Sequence, residues 1–412
     1  ISGNYFIVNN SKDLQTIGWY SNGATKLKST NDTVGIYTLD AVTVDMAIQN
    51  NTDLTVDCAN AAVSYFTLAG GDVVKRASVR YANVTGVSLT LSLSTTASGV
   101  GISVLDSSLT GLMSITMGAL TSSTITVNRT SMGQFSLAGA MQSGSSMLID
   151  QSYIQNAALA NTAAFSNTAT FTAALLEVRR STITNVERFA MYLAAHTYAG
   201  GVHRLVDNII RTNFTTQITS GSAPMQAAIG YCVSCYFNPG SVLEMSGNDV
   251  SVGTKYSYGL YVRMNGGRIV HDGLNTYTTG HVIVSHLAVT ANNLFVVNNS
   301  KSLNTIVWYT DVAAGLLSSN STVGIYNLDA ITVDIRVQKA TNMVIDTSGA
   351  AVGSFTVSVA NVVTSGTMSV CGNTGGSMSV ILLAATDSLA VSIADTRLAG
   401  MLTVSMAAIK TS

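Results

Sequence analysis

Between Ala41 and Gln49 the apolar residues fall at Val42, Val44, Met46 and Ile48, with Thr43, Asp45 and Ala47 between them. A period of two places all four on one face of an extended strand. The alternation returns at Leu89, Leu91 and Leu93, and again at Ile102 and Val104. Stronger apolar centres lie at Val56, Val79, Val104, Val127 and Ile149. They recur every 22–25 residues or about that, the signature of a stacked repeat. Weaker alternations, "SYFTL", "LTLSL" and "SITM", fall halfway between them. Asp, Asn, Ser or Gly tends to follow each apolar stretch, which predicts a turn there. Spacing widens between residues 155 and 260, which predicts central coils with longer loops.

A longer period contains the short one. "GIYTLDAVTVD" at Gly35–Asp45 returns as "GIYNLDAITVD" at Gly324–Asp334. An offset of 289 aligns residues 4–123 with 293–412 without a gap, and about 40% of the positions are identical. Val42, Val44, Met46 and Ile48 become Ile331, Val333, Ile335 and Val337, all apolar. Ala47, between them, becomes Arg336, an exchange that only a water-facing position tolerates.

Short strands at this spacing, with no helical pattern between them, predict an all-β parallel β-helix, or β-solenoid, with coils of about 22–25 residues. Residues 1–412 are expected to form one continuous β-solenoid. A leucine-rich repeat would need its Leu/Asn consensus, and a propeller a period of about 40–50 residues. Only Pro224 and Pro239 interrupt the chain, which suits strands that all donate their N–H groups. The partly written second copy, with no evident cap, leads us to expect a segment of a longer repetitive protein or a subunit stacked end to end.

Composition sharpens the surface. Charged residues make up 10% of the chain, against roughly 25% in a typical soluble protein. Ser, Thr, Asn and Gly fill the polar positions, giving a neutral, hydroxyl-rich exterior. The net charge of −1 offers nucleic acid no electrostatic footing, and no apolar run is long enough for a membrane span. Of the four cysteines, Cys232 and Cys235 have redox or metal spacing. No second ligand pair accompanies them, so they are read as disulfide or structural thiols. Cys58 faces Thr347 in the repeat and Cys371 faces Ala82, which marks packing rather than chemistry.

Candidate chemistry is sparse. Asp40, Asp45, Asp57 and Asp106 recur as Asp329, Asp334, Asp346 and Asp395. A lyase on such a fold would need these acids and a base to converge in one groove. Arg76 and Arg80 become Ser365 and Ser369, so no base is retained beside them. The five histidines form no metal motif. No enzyme, cofactor or metal site is expected. Asn-x-Ser/Thr sequons at Asn9, Asn31, Asn50, Asn83, Asn128, Asn213, Asn298 and Asn320 are candidate N-glycosylation sites. Their number is what chance gives in a Ser/Thr-rich chain, but Asn9 recurs as Asn298 and Asn31 as Asn320. Tyr256, Tyr258, Tyr261 and Arg263 are either solenoid filling or a sugar or protein contact.

"SVLEMSGNDVSV" followed by "YGLYV", with short strands ending in Ser or Asn throughout, resembles the dispersed gene family surface proteins of trypanosomatids. That resemblance implies a secreted or membrane-anchored protein with a β-helical stalk, acting in adhesion or coat formation, and no catalytic residues. The expected function is a structural or adhesive extracellular β-solenoid at the cell surface, a glycoprotein that binds surface glycans or protein ligands or joins end to end into a filament. The alternative is a carbohydrate-active, lyase-like or carbohydrate-binding β-helix.

Overall fold

The computed structural model describes residues 4–21, 32–49, 53–71, 76–93, 97–156, 163–186, 189–194, 197–213, 227–231, 237–253, 258–264, 266–278, 281–287, 294–311, 321–338, 342–360, 365–382 and 388–406. All regular structure among them is β, and neighbouring strands run parallel, turn upon turn: the chain is a β-solenoid. Among the described residues no helix is long and apolar enough to cross a membrane. The chain divides into two compact units, 1–186 and 187–412. Residues 4–123 of the repeat lie in the first and 293–412 in the second.

In unit 1 the first sheet stacks Asp32–Tyr37, Asp53–Ala59, Arg76–Ala82, Val100–Leu105, Thr124–Asn128 and Ser146–Asp150 in that order. Val34, Val56, Val79, Ile102, Ile125 and Met147 fall in one register column, so each turn takes 22 or 23 residues. The weaker alternations supply the second sheet: Asp40–Gln49, Ala62–Gly71, Ser88–Leu93, Leu112–Thr121 and Gln134–Met141. Its inward column is Val44, Phe66, Leu89, Met113 and Phe135, all buried. Each such side chain removed from water contributes about 1.5–3 kcal/mol.

One position departs from the alternation. Val42 is 42% exposed and its counterpart Ile331 is 64% exposed, while Ala41 and Ala330 are buried. The pairing runs Ala41 to Val63 and then Thr43 to Tyr65, stepping over Val42. The chain bends there as it enters the second sheet, so the strict period begins only at Val44.

Each first-sheet strand ends on a residue in the left-handed region. In unit 1 these include Thr38, Asn60, Asn83, Asp106, Arg129, Gln151 and Arg180, with φ between 48° and 55°. Asn and Asp tolerate this conformation; Arg does so at a cost of roughly 1–2 kcal/mol. Arg129 reaches Asp106 on the preceding turn with a two-toothed bond, at 2.6 and 2.9 Å. The chain then drops a small residue inward. Ser152 Oγ accepts from the Thr130 N–H at 3.3 Å, and Ser181 Oγ accepts from the Ser152 N–H at 3.1 Å.

Unit 2 stacks Val202–Val206, Val242–Ser246, Arg268–His271, Leu294–Asn298, Ser321–Tyr326, Asn342–Ser348, Ser365–Cys371 and Ser388–Ala394. At three successive corners, Asn208, Asn248 and Asn275, carboxamides stand in place of hydroxyls. The N–H and Nδ2 of Asn208 both donate to Asn248 Oδ1, at 3.1 and 3.0 Å. Those of Asn248 donate to Asn275 Oδ1 at 3.1 and 2.9 Å. Turn length varies more here. Arg204 and Glu244 are ion-pair partners on neighbouring strands yet lie 40 residues apart.

Candidate functional site

The outward columns of the first sheet answer what the repeated eleven residues are for. Gly35 pairs with Asp57 across the ladder, and Gly324 pairs with Asp346. Tyr37 lies back over Gly35, where a Cβ would meet its ring at 2.6 Å. From there its hydroxyl donates to Asp57 Oδ2 at 3.1 Å. Tyr326 lies over Gly324 and donates to Asp346 Oδ2, also at 3.1 Å. Burial first, and then these bonds, push both phenols above their ordinary pKa. An aromatic ring covering a strand glycine restores the side-chain packing the glycine lacks. Tyr20 repeats the device over Gly18 and donates to Asp45 Oδ2 at 2.9 Å. The second copy has Val307 in place of Gly18, and there Asp334 binds Arg336 at 2.6 Å instead.

The retained aspartates are therefore distributed along the coils. Asp45 stands on the second sheet and Asp57 on the first, so these two do not share a groove. Arg80, lost in the second copy, pairs with Asp57 at 2.8 Å, and Arg76 pairs with Asp53 at 2.6 Å. Asp106 and Asp395 occupy left-handed corners. Among the described residues no group of three or more His, Cys, Asp or Glu is placed to hold a metal ion.

The other singled-out residues divide similarly. Cys232, Cys235, Asn31, Asn50, Asn320 and Tyr256 lie outside the described residues, as does the side chain of Arg263. Cys58 is a free, buried thiol, pushed up by burial, and Cys371 is free and half-buried. Asn9, Asn83 and Asn213 are exposed, while Asn128 and Asn298 are half-buried. Asn83 donates to Asn60 at 3.1 Å, and Asn298 donates to Asp272 at 3.0 Å. Tyr261 is buried, with its ring 5.9 Å from that of Tyr258. That is the filling role for Tyr261.

Two clefts remain. The one in unit 1, about 350 Å³, runs beside Asp13, Gln15, Asp40, Ser64 and Thr85 along the bend at Val42. It brings acids and hydroxyls together without a base. The one in unit 2, about 690 Å³, lies on the outward face of the first sheet. Arg204, Glu244, Arg268 and Asp272 line it, with Val206, Val242 and Val270 between them. Arg204 Nε donates to Glu244 Oε2 at 2.7 Å. Asp272 Oδ1 accepts from the Gly273 N–H at 2.8 Å as well as from Asn298. Arg268 is exposed between its ladder neighbours Val242 and Leu294. Sequence reading missed this cleft, because its charges sit on turns 40 and 26 residues apart and share no local motif. The chain matches no family model, no curated protein and no solved structure.

Proposed function

We propose that the chain is a structural or adhesive extracellular β-solenoid, of the kind its resemblance to trypanosomatid dispersed gene family proteins implies. The carrying observation is the use made of the repeated residues. Gly35, Tyr37 and Asp57 recur as Gly324, Tyr326 and Asp346, and in both copies they fasten one turn to the next. Fastenings kept in both copies suit a chain whose task is the stack itself. The neutral, hydroxyl-rich exterior suits spacing, coating and display.

End-to-end association belongs to the same proposal. The second reading, a carbohydrate-binding β-helix, is favoured by the mixed-charge cleft of unit 2.

The test is to immobilise the chain and offer neutral and acidic polysaccharides. Retention with no change in polymer length is the expected result. New reducing ends or unsaturated uronates would overturn the non-enzymic reading.

A further inference from the structure

We propose that the unit 2 cleft is a binding site for a carboxylate-bearing saccharide, anchored by Arg268. This rests on the adhesive reading and gives it a ligand. Most of the described arginines join one turn to another: Arg76 binds Asp53, Arg80 Asp57, Arg129 Asp106, Arg180 Asp150 and Arg211 Asp249. Within the cleft Arg204 is likewise held by Glu244. Among the described residues Arg268 and Arg397 pair with no acid, and of the two only Arg268 lines a cleft. Its ladder neighbours are Val242 and Leu294, which neither neutralise it nor compete for its donors. A guanidinium with a free fork beside an apolar floor is suited to a planar carboxylate, which it binds through two parallel hydrogen bonds.

The rest of the cleft defines the body of the ligand. Asp272 lies four residues beyond Arg268, roughly 13 Å along the strand direction. Glu244 and Ser246 lie on the neighbouring strand, all three lining the same cavity. Glu244 and Asp272 are already oriented by Arg204, Asn298 and the Gly273 N–H, which leaves carboxylate lone pairs to accept from hydroxyls. Val206, Val242 and Val270 supply an apolar floor for the C–H face of a sugar ring. One acidic end at Arg268 and hydroxyl donors toward Asp272 at the far end of the cleft describe an acidic disaccharide. A fatty acid would leave Glu244 and Asp272 facing hydrocarbon, at a desolvation cost without return.

The experiment compares cellobiouronic acid with cellobiose by calorimetry on the full chain. The acid should bind at least tenfold more tightly, and added salt should erode the difference. Arg268→Gln should bring the two sugars within twofold of each other, and Asp272→Asn should weaken the acid at least threefold, both without altering the thermal melt. Equal binding of the two sugars, or a preference unchanged in Arg268→Gln, overturns the site. A glutamate hexapeptide that binds as tightly as the acid overturns the saccharide class. Polysaccharide retention that is the same with Arg268→Gln as without it leaves the adhesive reading standing and removes this site. Loss of all retention by the unaltered chain removes the adhesive reading itself.

Discussion

Units 1 and 2 carry two writings of one repeat, and beyond the repeat they solve the same corner with different chemistry. In unit 1, Ser152 and Ser181 receive backbone N–H groups from the neighbouring turn and donate their own hydroxyls to carbonyls two residues back, at 2.9 and 2.8 Å. In unit 2, Asn208, Asn248 and Asn275 do so with two bonds per rung instead of one. Among the described residues unit 2 also buries His203 and His271, whereas the sequence of unit 1 contains no histidine. His203 lies edge-on to Phe237, with Nε2 3.4 Å from Thr197 Oγ1. His271 stacks on Tyr277 and meets its hydroxyl at 3.1 Å. The regular, hydroxyl-cornered unit is built for uniformity. The other accepts polar bulk inside, and with it a sensitivity to pH.

That sensitivity is the largest expected difference. Burial lowers the His203 pKa to about 3 and that of His271 to about 4, from 6.5. Both groups take up a proton on unfolding below pH 6.5, so their contribution is whole above that value and drains as pH falls, until the folded imidazoles protonate. Each loses about 1.4 kcal/mol per pH unit, so unit 2 should be about 5 kcal/mol weaker at pH 4.5 than at pH 7. Trp19 reports on unit 1 and Trp308 on unit 2. Denaturant titration of Trp19→Phe and Trp308→Phe chains reads the units separately. Equal acid shifts in both would break the comparison.

The corner ladders come next. Asn248→Ala removes both bonds from Asn208 and strands a buried N–H, which should cost unit 2 about 3 kcal/mol. Ser152→Ala strands only the Thr130 N–H and should cost unit 1 about 1 kcal/mol. Denaturation midpoints that move equally would show that the second bond per rung adds nothing. The tyrosine clips should be the point of equality. Tyr37→Phe and Tyr326→Phe should each cost about 1 kcal/mol in their own unit. A difference of more than twofold would mean that the two copies no longer use the clip alike. The smallest effect belongs to Arg129→Ala, on a fully exposed pair that solvent screens. It should vanish in high salt, and one that persists would assign the corner to packing.

Much of this was legible before the fold was known. The period-two face at Leu89, Leu91 and Leu93, and the stack from Val56 to Ile149, follow from burial acting on a pleated chain. Val42 was misread because an apolar residue at a bend looks in sequence like one more step of the alternation. The corner residues were half legible: Asn60, Asn83 and Asp106 announce a left-handed turn, whereas Arg129 and Arg180 conceal one. The aspartates looked like candidate chemistry because retention alone cannot separate a fastening from a site; the ring of Tyr37 over Gly35 can. The cleft around Arg268 was invisible, since a parallel stack joins residues that no short window contains.

One consequence of the unequal turns concerns how such a chain changes over time. Val34 and Val56 are ladder partners 22 residues apart, and Arg204 and Glu244 are joined across 40. Register on the first sheet is indifferent to how much chain is spent elsewhere in the turn. Segments between strands can therefore lengthen, shorten or be exchanged wholesale without disturbing their neighbours. The stack acts as a chassis, and new sequence can be installed one turn at a time.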